Sequence, residues 1–156
     1  MLLSASRLNA DLAQSDTDTL WFDLQSLLAA GANVAKLLWG SNAESATPRA
    51  PLRTSLQVED TSALRPRTMR NHYEHIDERL DEWHAQSKSH NHFAHIIGSP
   101  SSIKGVEEID LFRGFDPATT TAYFWGDTFD VQAMVNEAGR LMPIAMAESA
   151  KPHWEP

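Results

Sequence analysis

The chain of 156 residues contains no cysteine. Disulfides, thiolate metal sites and cysteine nucleophiles are excluded together, and a reducing compartment is favoured. No run approaches the roughly 20 apolar residues that a membrane-spanning helix needs. The opening MLLSASRLNADLAQ lacks a basic leader segment, and Ser4, Ser6 and Arg7 interrupt its apolar run. It does not read as a secretory signal. Neither a Gly-rich phosphate loop nor a Gly-x-Ser-x-Gly elbow occurs. The expectation is a cytoplasmic protein with no membrane partner, no cofactor and no resident metal.

Basic charge is also scarce: 13 Lys and Arg stand against 21 Asp and Glu, a net charge of -8. That balance argues against a broad nucleic-acid-binding face. The exception is residues 49–70, where Arg49, Arg53, Arg65, Arg67 and Arg70 face only Glu59 and Asp60, five against two, a local charge of +3. Two readings stay open for this segment. One is a solvated stretch whose arginines pair with neighbouring acids. The other is a phosphate-binding site, because guanidinium forks match phosphate oxygens.

A hydrophobic fraction of 42% fits a globular protein with a real core. The spacing of Leu20, Leu24, Leu27, Gly31, Val34 and Leu38 predicts a helix over about 17–39. Asp16 or a neighbour starts it and Gly40 stops it. Residues 41–51 read as a loop, and a short helix is expected over about 51–59. Met69, Tyr73, Ile76, Leu80 and Trp83 form one stripe, which predicts a continuous helix over about 67–86.

Beyond it, residues 92–97, 109–115 and 120–125 alternate as strands do, with Asp116-Pro117-Ala118-Thr119 as a turn. Gly126-Asp127-Thr128 is expected to start a last helix with Val131, Met134, Val135, Ala138, Leu141, Met142 and Ala145 inside, and Pro143 should end or kink it. Lys151 to Pro156 reads as a frayed tail. The fold class expected is mainly α: one domain over 1–156, an antiparallel bundle of four to five helices with a small β-hairpin, about 109–125, inserted before the last helix.

Chemistry concentrates in Arg70-Asn71-His72-Tyr73-Glu74-His75. An Arg and a His separated by four residues are not distinctive alone, since Arg65 to His72, Arg67 to His72 and Arg79 to His84 fit similar spacings. A bland reading is available too: Arg70 pairs with Glu74 one turn on, and His75 packs beside Arg79. The surroundings add specificity. Asn71 follows Arg70, the motif opens a long amphipathic helix, and His75-Ile76-Asp77-Glu78-Arg79-Leu80-Asp81-Glu82-Trp83 follows it.

On these residues, about 65–83, the chain resembles the HEPN family, helical RNase-like domains found in bacterial toxin and defence systems. The resemblance implies a metal-independent endoribonuclease in which Arg70 and His75 are the catalytic pair, with Asn71 helping to orient them. It also implies an active site where two subunits of a homodimer meet, and an antitoxin or other regulatory protein as a possible partner. Arg65, Arg67 and His72 are the residues expected to bind the RNA. The chemistry is coherent: an imidazole titrates near neutrality and serves proton transfer. A guanidinium holds the phosphate and its developing charge. The 2′-OH is an internal nucleophile, so DNA should resist.

Geometry sets a demand, because residues five apart on an ideal helix differ by about 140° and about 7.5 Å along the axis. Either Arg70 lies at a bent helix start, where its long side chain folds back, or a two-fold dimer places two such pairs around one cleft. The chain departs from toxins silenced by nucleotidylation of a Tyr two residues after the motif His, because Asp77 stands there. A non-catalytic helical interaction module remains the alternative. A third possibility is a metal site at His90, His92 and His95, joined by His72 or His84, against a reading of solvated histidines.

Overall fold

The computed structural model describes residues 1–152; the final residues of the expected tail lie outside the described residues. The first helix, α1 (Leu2–Gln14), was not anticipated. It ends at Ser15 in the left-handed conformation (φ 56°), and Asp16 caps the next helix by accepting from the Thr19 amide at 3.2 Å. That helix, α2 (Thr17–Trp39), has the expected bounds. It is the spine of the core, burying Leu20, Leu24, Leu27, Leu28, Ala32, Ala35 and Leu38. Gly31 lets Met134 approach, since a Cβ there would lie 2.4 Å from the Met134 sulfur.

Three short helical segments follow: α3 (Ala43–Ala46), a 3-10 turn (Thr47–Arg49) and α4 (Ala50–Ser55). The expected loop over 41–51 is therefore largely helical. Its start carries a reciprocal cap between Asn42 and Ser45.

The continuous helix expected over 67–86 is two helices, α5 (Thr68–Glu74) and α6 (Ile76–Gln86), divided at His75 (φ -107°, ψ 42°). The division has a physical cause in what each half buries. The α5 side chains of His72 and Tyr73 pack on Phe124, whereas Trp83 of α6 packs on Phe112.

The bundle expectation is corrected by the sheet. Strands β1 (Ile96–Ile97), β2 (Gly114–Asp116), β3 (Thr121–Phe124) and β4 (Asp127–Asp130) form one mixed sheet in that order. β1 pairs parallel with β2, and β2, β3 and β4 form an antiparallel meander. The expected hairpin is real only over 114–124. Residues 108–110 are a 3-10 turn instead, and residues 127–130 are a strand rather than the start of a helix. α5 packs on α2 and also on β3 and β4, so a sheet shares the core with the helices instead of a small hairpin being inserted beside a bundle.

Asp130 starts the last helix, α7 (Val131–Ser149), accepting from the Ala133 amide at 2.8 Å. Val131, Met134, Ala138 and Leu141 are buried as expected, but Met142 is exposed and the helix runs six residues past Pro143.

One close approach fixes the sheet. Gly114 stands opposite Tyr123, and a Cβ on Gly114 would overlap the Tyr123 ring at 1.9 Å. The ring is held there by its hydroxyl, which donates to the Gly98 carbonyl at 3.1 Å.

Candidate functional site at the junction of α5 and α6

The α5 segment is anchored from below. Met69, His72 and Tyr73 are buried, and the His72 ring stacks on Phe124 with centroids 4.8 Å apart. His72 Nε2 lies 2.7 Å from Asp127 Oδ2 on β4, and its Nδ1 is buried without a partner. Burial pushes the Tyr73 phenol well above its ordinary pKa, with Arg113, 5.2 Å from the ring centroid, acting against that shift.

Above this anchor lies the polar motif. Arg70 Nη1 donates to Asn71 Oδ1 at 3.1 Å, and Nη2 forms an ion pair with Glu74. The Arg70 side chain is 17% exposed, and its Nε is buried with no partner. His75 occupies the break itself. Its amide donates to the Asn71 carbonyl at 3.0 Å, and its own carbonyl accepts from the Arg79 amide at 3.1 Å. The imidazole is 49% exposed, and Nδ1 approaches Glu78 Oε1 at 3.4 Å. Thus the Arg70 and Asn71 side chains are brought together, while no hydrogen bond joins either of them to the His75 imidazole among the described residues. The helix start at Arg70 is not where the chain bends: the break falls at His75 and does not bring the two side chains into contact.

The remaining arginines of the basic segment serve largely inward contacts. Arg53 donates to the carbonyls of Leu38 and Ala46, and Arg67 donates to that of Gly40 at 3.0 Å. Both therefore satisfy carbonyls where α2 ends. Arg65 donates to the Asp60 carbonyl at 2.9 Å, lies 6.0 Å over the Trp39 ring, and keeps a side chain 52% exposed. Trp39 Nε1 donates to Asp60 at 2.8 Å. That bond, with Arg65 and Arg53 nearby, holds the Asp60 carboxyl below the usual carboxylate range.

The histidines of 90–95 disperse. His90 and His92 lie against Trp83 at 5.7 and 5.6 Å, and His95 lies against Trp21 at 5.1 Å. Burial, followed by Arg113 and His92, pushes the His95 pKa down. Among the described residues no group of three or more His, Asp or Glu stands close enough to hold a metal.

Two carboxylates escaped the sequence reading. In the sequence Asp127 reads as part of a helix start, which hides its pairing with His72. Asp110 is fully buried and accepts from Trp83 Nε1 at 2.9 Å, Ser87 at 2.6 Å and Ser89 at 2.5 Å. Burial works to raise its pKa, but these hydrogen bonds together hold it below the ordinary range. An acid between Ile109 and Leu111 in an otherwise apolar stretch was the available signal.

No helix among the described residues is long and apolar enough to cross a membrane. No protein-family model matches the chain, and neither a curated protein nor a solved structure matches it.

Proposed function

We propose that this protein is a metal-independent endoribonuclease of HEPN type, with its active site formed where the α5–α6 junctions of two copies meet. The observation that carries the reading is the helix break at His75. It leaves a half-exposed imidazole whose Nδ1 faces Glu78, so Nε2 is the nitrogen turned to a substrate. Asn71 holds Arg70 through a side-chain bond, as an orienting residue would.

In this reading Arg70 of one chain binds the scissile phosphate and His75 of the other transfers protons. No metal or cofactor takes part. Arg65 meets the RNA backbone, while Arg67 and His72 act from beneath, positioning α5 through their inner contacts. A cytoplasmic setting is proposed, since the chain lacks cysteine. A role in a toxin–antitoxin or antiviral system, held in check by an antitoxin or regulatory protein, follows from the family resemblance alone.

The test is RNA cleavage by purified protein in the presence of a chelator. Arg70→Ala and His75→Ala are each expected to lower the rate by about 100-fold or more while leaving the thermal transition in place. Cleavage that survives both changes rejects an active site built on Arg70 and His75. The second reading is a non-catalytic interaction module, and one observation favours it: the Arg70 guanidinium is already paired with Glu74 within its own chain. RNA left intact by the parent protein supports that module.

A further inference from the structure

We infer that Glu74 is an internal stand-in for the substrate phosphate, occupying the Arg70 guanidinium until a phosphodiester displaces it; this rests on the reading of Arg70 as the phosphate-binding residue. The arrangement around Arg70 is the basis. One Nη donates to Asn71, which fixes the plane of the guanidinium, and the other meets the Glu74 carboxylate. Glu74 thus occupies one nitrogen of the group, a position that a phosphodiester oxygen would otherwise take. The side chain is largely covered, whereas that of Glu74 is 37% exposed. The carboxylate is therefore the mobile partner, able to swing to solvent while Arg70 stays.

Glu74 is also the last residue of α5, at the start of the break, so its release disturbs no buried contact of the helix. A neighbouring pair offers a contrast. Arg79 and Glu82, 2.6 Å apart on α6, carry the same charges, but Arg79 also lies 5.8 Å over the Trp125 ring. Arg79 is thus held by an aromatic ring as well as by its carboxylate, whereas Arg70 is held by Asn71 and Glu74 alone.

An anion held in place competes with RNA. Its removal should strengthen binding through Arg70 specifically, not through the loss of one negative charge in general. The probe is a single-stranded oligonucleotide methylated at every 2′ oxygen, which binds but has no internal nucleophile. Glu74→Gln keeps the length and helix tendency of the side chain and is expected to bind about fivefold tighter, the equivalent of a released surface ion pair. The dependence of log K on log salt should stay as in the parent, since Arg70 meets one phosphate in either complex.

The gain is not expected in an Arg70→Ala background, nor with Glu82→Gln, which removes the same charge one helix away. Affinity of Glu74→Gln equal to that of the parent overturns the inference, as does an equal gain in either control. Cleavage of unmodified RNA, followed in parallel, separates the two claims. Arg70→Ala that cleaves like the parent removes the reading of Arg70 as the phosphate-binding residue of the site. Loss of cleavage in Arg70→Ala with no affinity gain in Glu74→Gln removes the stand-in alone.

Discussion

The two helices that meet at His75 differ in how they are held. α5 buries Met69, His72 and Tyr73 in seven residues, whereas α6 has no fully buried residue in eleven. α5 is thus an inner element clamped on the sheet. α6 is an outer arm attached mainly through Trp83, whose ring meets Phe112 and whose Nε1 reaches the buried Asp110. A single amphipathic stripe runs through both, yet its upper half sinks into the core and its lower half lies near the surface. A site at such a junction gains a fixed platform for Arg70 and Asn71 and a half-exposed position for His75. That combination suits a residue that must meet groups from another chain.

The contrast can be broken or sharpened by substitution, beginning with the anchor. Tyr73→Ala removes a buried ring from α5 and is expected to lower stability by about 3–4 kcal/mol in denaturant unfolding. Asp110→Ala should lower it by about 3 kcal/mol, because the buried Ser87 hydroxyl and the partly covered Trp83 and Ser89 donors all lose their acceptor. The same carboxyl has a pH signature. Its pKa is depressed in the folded chain, so its contribution is present above the ordinary Asp value of about 3.9 and is lost as pH falls through the lower folded value. Asp110→Asn should therefore flatten the acid side of the stability profile in that range, measured by thermal melts across pH.

Gly114→Ala, which drives a methyl into the Tyr123 ring, should destabilise by about 2 kcal/mol. Leu80→Ala on the outer arm should cost less than about 1 kcal/mol, since Leu80 is exposed although it belongs to the same stripe as Tyr73. A Leu80 effect as large as that of Tyr73 would erase the distinction between anchor and arm.

The difference between the helices also explains what was legible in the sequence. The bounds of α2 could be read because propensity, capping and periodicity agree there, from Asp16 to Gly40. The division of 67–86 could not be read, because a stripe records which side is apolar but not what it packs against. Tyr73 answers to Phe124 and Trp83 to Phe112, and the chain turns at His75 to serve both. The sheet was seen only in part for a similar reason. β1 has two residues and pairs in parallel with a strand far along the chain, a contact that local alternation does not encode. Asp127 resembled a helix start because Asp favours such positions, but Asp130 does that work and Asp127 faces His72.

Of the motif, Arg70, Asn71 and His75 are legible as residue types. The Arg70–Glu74 pairing was legible as an alternative. The Asp127 carboxylate beneath the motif was not, since only the meander brings it there.

Complementation between two disabled chains tests the shared cleft most directly. When Arg70→Ala and His75→Ala proteins are mixed and allowed to exchange subunits, the mixed dimer keeps one guanidinium and one imidazole on opposite chains. RNA cleavage in the mixture is predicted to recover to a measurable fraction of the parent rate. A mixture as inactive as either variant alone, under conditions where the parent cleaves and subunits exchange, would contradict a site built across two copies.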